Sequence, residues 1–112
     1  MLRVDNITAD PHQSHTLLIE QGQVLLELRF LPAVQIWIMD VDYRGKVQRG
    51  IKLSANVHHI RGFNYPFDFT VVLTDDSGID PFRRDDFDTG RCELYFITPE
   101  EMETVRGLEV PQ

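Results

Sequence analysis

Residues 33–54, AVQIWIMDVDYRGKVQRGIKLS, constrain the fold more than any other stretch. Val34 to Val41 is mostly β-branched or aromatic, the composition of a pleated strand. Arg44-Gly45 then supplies a two-residue turn, with Gly where a positive φ is needed. Folding the chain there sets Tyr43 opposite Lys46, Asp40 opposite Arg49, Ile38 opposite Ile51 and Ile36 opposite Leu53. A cross-strand ion pair and two apolar pairs support that register. The strand is apolar on both faces: Ile36 and Ile38 on one, Trp37, Met39 and Val41 on the other. Such a strand must be covered twice. The face of Trp37, Met39 and Val41 fits two readings equally: a second core layer under a C-terminal helix through Met102 and Val105, or a subunit interface, where aromatic residues and Met are enriched.

A second hairpin precedes it. Thr16–Glu20 and Gln23–Leu31 flank Gln21-Gly22, which places Ile19 opposite Val24, Leu17 opposite Leu26 and Thr16 opposite Glu27. Leu17, Ile19, Val24, Leu26, Leu28 and Phe30 then share one apolar face, assigned to the core. Leu2, Val4 and Ile7 fit a short edge strand that Asp10-Pro11 ends. Beyond Leu53 the alternation stops, and Ser54–Tyr65 reads as a loop or a short helical turn. Phe67, Phe69, Val71 and Leu73 alternate with Asp68, Thr70, Val72 and Thr74, a period-two strand. A polar segment, Asp75–Gly90, follows. Arg91–Thr98 is the last strand, with Cys92, Leu94 and Phe96 on one face and Tyr95 and Ile97 on the other. Thr98-Pro99-Glu100-Glu101 has the signature of a helix start, and Gly107 suits a stop near Arg106. The expected fold is all-β: a small antiparallel barrel or sandwich of six to seven strands with a short C-terminal helix.

The chain has 112 residues, a length that predicts a single all-β domain over 1–112. Its one cysteine, Cys92, cannot form an internal disulfide, so nothing points to an oxidising compartment. The polar start, MLRVDNITAD, does not read as a signal peptide, and no apolar run is long enough for a membrane helix. The net charge is −7, which argues against sequence-specific nucleic-acid binding without excluding a local basic patch.

Candidate chemistry is sparse. Asp75, Asp76, Asp80, Asp85, Asp86 and Asp88 are hard oxygen donors of the kind a Ca²⁺ or Mg²⁺ site needs. No ligand spacing matches a known loop, and a solvated loop partly balanced by Arg83 and Arg84 is the stronger reading. Asp40–Gly45 resembles the start of an EF-hand loop but places Arg44 at its fifth position and Ile51 at its twelfth, where oxygen ligands belong. His12 and His15 would point to opposite faces of one strand, and the adjacent His58 and His59 diverge, so neither pair predicts zinc. Cys92 sits mid-strand on an apolar face, where a thiol is inert. Ser54 and Ser77 lack the Gly pattern of a nucleophile elbow, and no Gly-rich phosphate loop is present. No cofactor, catalytic residue or metal site is expected.

Over roughly Ile7 to Glu101 the chain resembles the baseplate plug family of contractile-tailed bacteriophages. The likeness is carried in order by QSHTLLIEQGQ, with Gln13 opening the first strand and its Gly turn, by LELRF, by the Trp strand and Gly turn IWIMDVDYRG, by GIKLS, by Asp80-Pro81, and by ELYF in the last strand. The resemblance implies a non-enzymatic virion protein of the tail baseplate, assembled in the host cytoplasm, that sits with hub proteins and closes or braces the distal end of the tail tube. It implies other baseplate and hub proteins as partners, self-association, no membrane, and only passive contact with DNA passing through the tube, which acidic walls would let slide. Trp37, Met39 and Val41, with Asp80, Phe82, Arg83 and Arg84 of the 75–90 loop, are the expected contact residues. A small β-barrel binding module without catalysis is the alternative. A metal-dependent enzyme built on the acidic loop is the third reading.

Overall fold

The computed structural model describes residues 2–19, 22–56, 59–60 and 65–101. Its strands are β1 (Leu2–Arg3), β2 (His12–Ile19), β3 (Gly22–Leu31), β4 (Ile36–Tyr43), β5 (Lys46–Lys52), β6 (Asp68–Leu73) and β7 (Cys92–Ile97). Every strand pair is antiparallel. One sheet has the order β2-β3-β4-β5, the other β1-β7-β6. The two face each other as a sandwich around one continuous apolar cluster.

The central hairpin closes where the sequence predicts. Tyr43 faces Lys46. Arg44 (φ 51°) and Gly45 (φ 78°) are both left-handed, the pattern of a type I′ turn. Asp42 still faces Val47 and Val41 faces Gln48, but Met39 faces Ile51 and Ile38 faces Lys52. Between these pairs Arg49 and Gly50 together oppose Asp40, a one-residue bulge. Gly50 reaches φ 71° there, and its N–H donates to Asp40 Oδ1 at 2.8 Å. The bulge replaces the predicted pairs Asp40–Arg49, Ile38–Ile51 and Ile36–Leu53. A slip of one residue sends every later side chain to the other face. Ile51 and Leu53 therefore join the side of Met39 and Trp37, and Leu53 is fully buried. Asp40 pairs with Arg29 instead, whose Nη2 lies 3.1 Å from both carboxylate oxygens.

The first hairpin differs differently. Ile19 faces Gly22 and Leu17 faces Val24, two residues from the predicted register. Gly22 is thus a strand residue of β3 rather than half of a two-residue turn. An even shift leaves each side chain on its face, so Leu17, Ile19, Val24, Leu26, Leu28 and Phe30 do pack on the core.

The second sheet covers β4. Trp37, Met39 and Val41 have no exposed area, nor do Phe67, Phe69, Val71 and Leu94 across from them. The face for which the pattern leaves core and interface equally open is a core layer in this fold. Phe67 centres it, with its ring 5.1 Å from Tyr43 and 5.3 Å from Phe96. On the outer face of β7 Ile97 and its partner Asp68 are buried, while Tyr95 is only half-buried, so the second cover is partial. At the N-terminus only Leu2–Arg3 is strand, but Val4 and Ile7 are core residues. Thr98 and Glu101 form the expected reciprocal cap, Glu101 N–H to Thr98 Oγ1 at 3.3 Å and Thr98 N–H to Glu101 Oε1 at 3.1 Å. The predicted helix stop at Arg106-Gly107, and Met102 and Val105, lie outside the described residues.

Burial of the indole gives a direct test. Trp37→Ala should cost about 3–5 kcal/mol in urea unfolding, and Trp37→Asp should leave no folded chain by circular dichroism.

Candidate functional site

The expected contact loop is organised by a residue the sequence reading did not single out. Arg91, just before β7, reaches back under the 75–90 segment. Its Nε donates to Asp86 Oδ1 at 2.9 Å and its Nη2 to Asp86 Oδ2 at 2.8 Å, a fork-on-fork pair. Nη2 also donates to Asp80 O at 3.1 Å. Nη1 lies within reach of Ile79 O (3.1 Å), Ser77 Oγ (3.2 Å) and Asp75 Oδ2 (3.3 Å). Asp86 is 1% exposed. Its Oδ2 also accepts the N–H groups of Phe82 and Arg83, at 2.8 and 2.9 Å. One guanidinium thus ties down five loop residues and one carboxylate caps the turn between them.

The electrostatics follow. Burial alone would push the Asp86 carboxyl up, but the Arg91 fork and the two backbone donors outweigh it, and its pKa falls below the usual carboxylate value. Asp75 is held low by the Ser77 hydroxyl first and by Arg91 second. Arg91 is raised, chiefly by its bond to Asp86. Arg91 is the cation that bonds Asp75 and Asp86, while Arg83 and Arg84 lie exposed in the same loop. A lone Arg directly after a loop of six aspartates was the available signal.

The same network bears on the metal reading, because Asp75, Asp80 and Asp86 are already bonded within the protein. Among the described residues no three His, Cys, Asp or Glu stand together as a metal site. His12 is exposed on the outer face of β2 while His15 faces inward and bonds Gln13 Oε1. His59 accepts the Ser54 N–H on Nε2 at 2.9 Å, which leaves Nδ1 to donate to Phe69 O at 2.8 Å. His58 lies outside the described residues. Burial pushes the Cys92 thiol up to about 11, so it is mostly protonated and unreactive near neutral pH.

The expected contact residues separate into two layers. Trp37, Met39 and Val41 are inside. Trp37 nevertheless touches the loop: its Nε1–H donates to Arg83 O at 3.0 Å, and its ring meets Phe87 edge-on with centroids 5.6 Å apart. Asp80 is half-buried, accepting the Ala55 N–H at 2.9 Å and facing Lys52 Nζ at 3.8 Å. Phe82 is half-exposed, with the guanidiniums of Arg83 and Arg91 at 4.9 and 5.1 Å from its ring centre. Phe82, Arg83 and Arg84 therefore form a cationic and aromatic knob on an acidic protein. A second surface lies on the outer face of the four-stranded sheet, where exposed Leu25 and Val47 sit in a shallow groove with Glu27, Asp40, Asp42 and Arg49.

A family model described as cyanophage baseplate Pam3 plug gp18 matches residues 1–100. No curated protein matches the chain.

Two tests address the Arg91 clamp. Arg91→Ala leaves the Asp86 charge buried without its partner and should cost about 3 kcal/mol or more in urea unfolding, with new proteolytic cleavage inside residues 75–90. Because folding lowers the Asp86 pKa, its contribution is complete above the ordinary carboxylate value of 3.8 and is lost as pH falls through the lower folded value. The acid limb of a stability–pH profile should therefore flatten in Asp86→Asn.

Proposed function

This chain belongs to the cyanophage baseplate Pam3 plug gp18 family, and we propose that within the baseplate it braces the distal end of the tail tube against hub proteins through its Arg91-ordered loop. Family membership makes the protein a structural component of a phage tail baseplate, a part of the virion that contacts other baseplate proteins and carries no catalytic activity.

The observation that carries the finer reading is the preformed knob. Arg91 and Asp86 hold the loop from below, Trp37 anchors it to the core, and Phe82, Arg83 and Arg84 are left facing outward. A rigid surface loses little conformational freedom on docking, and Arg with an aromatic ring is a common anchor pair at interfaces. Asp80 sets the edge of that surface. Met39 and Val41 act behind it, as part of the sheet that Trp37 belongs to. On this reading residues 1–112 work as one domain, and the net charge of −7 keeps DNA in passage from sticking.

The test is complementation of tail assembly. Arg83→Glu with Arg84→Glu should fold normally, since both side chains are exposed, yet should lower incorporation into baseplates at least tenfold. Wild-type incorporation of that double variant would remove the loop from the interface.

A further inference from the structure

The edges of the two sheets are not equally protected. β6 is shielded by Ala55, Asn56 and His59: Ala55 bridges to Val71, Asn56 N–H donates to Val71 O (2.8 Å) and His59 N–H to Phe69 O (3.1 Å). β1 is two residues long. β5 is interrupted by the Gly50 bulge and carries Lys46, Arg49 and Lys52. Short strands, bulges and lysines are the usual defences of a sheet edge. β2 has none of them. It is eight residues long, HQSHTLLI, without a bulge, a proline or a formal Asp, Glu, Lys or Arg charge.

Its backbone polarity can be read from its pairing. Phe30 N–H donates to Pro11 O at 2.8 Å, so that pair is a bonded one. Bonded and non-bonded pairs alternate along an antiparallel ladder. Gln13, His15, Leu17 and Ile19 therefore direct their N–H and C=O groups at β3, and His12, Ser14, Thr16 and Leu18 direct theirs outward. The N–H of His12 fits this, donating to Asp10 Oδ1 at 3.0 Å. Among the described residues the backbone groups of Ser14, Thr16 and Leu18 have no edge partner, and Leu18 is 78% exposed.

We propose that β2 is a dimerisation edge that pairs antiparallel with β2 of a second copy about a two-fold axis. The occupant is a second copy for two reasons. An isologous pairing satisfies both open edges at once, and since the other edges are shielded, short or bulged, assembly through this contact stops at two. The strand also has no formal charge, so two copies of net charge −7 can approach here without setting like charges opposite one another. With Thr16 on the axis, Thr16 bonds Thr16 and Ser14 bonds Leu18 across the join, which makes one continuous sheet from two four-stranded ones. The contact stands on edge geometry and does not depend on the loop docking to hub proteins.

Sedimentation velocity of the purified chain tests it. Wild type should sediment at twice the 13.0 kDa chain mass. Thr16→Pro removes only an outward N–H, and Thr16→Lys sets two cations on the axis; each should return the particle to a single chain mass with an unchanged circular dichroism spectrum. Should Thr16→Pro disturb the fold, Thr16→Lys decides. His15→Pro, whose N–H points at β3, should instead destabilise the chain. A wild-type mass of one chain, a mass above two, or a Thr16→Lys variant that remains at two chains would overturn the proposal.

Discussion

The structure depends on the closure of β6 and β7 over the inner face of β4. That closure buries Trp37, Met39 and Val41 against Phe67, Phe69 and Leu94, and burying aromatic and branched side chains is the dominant favourable term in folding a chain this short. The bulge at Gly50 is what makes the closure complete. Without it Leu53 and Ile51 would face solvent and the β5 side of the core would lack two apolar residues. The cost of a left-handed backbone is small at glycine, and the Asp40 carboxylate fixes the bulge by accepting its N–H.

From that core the order passes outward to the loop. Trp37 is the link, with its ring in the core and its one polar atom on a loop carbonyl. Buried indoles keep a partner for their N–H, and here the partner lies in the segment that would otherwise be the least constrained. Arg91 completes the restraint from the other side. Its position directly before β7 means that the strand which closes the sandwich also positions the clamp. Core and loop are in this sense one structure.

Much of this was legible in the residues. Strand placement, the turn at Arg44-Gly45, the capping box at Thr98 and the inner face of the first hairpin all follow from local chemistry and period-two alternation. The bulge was not legible, because Arg49-Gly50 reads equally well as two ordinary strand residues until Asp40 is seen to hold Gly50. The Arg91 clamp was hidden for a related reason. Its partners at 75, 77, 79, 80 and 86 are spread along a loop without periodicity, and only the fold brings them together. The roles of Trp37, Met39 and Val41 turned on what covers a strand apolar on both faces, a question that pattern alone leaves open and the second sheet answers. Family membership was legible from the order of short motifs, none of them informative singly.

The protein's place as a built-in part of the tail baseplate is the central claim. Quantitative mass spectrometry of purified phage particles, with tails separated from heads, tests that most directly. The chain should appear in the tail fraction at a few copies per particle, in fixed ratio to the other baseplate proteins. Its absence from purified particles, or recovery in the head fraction, would contradict it.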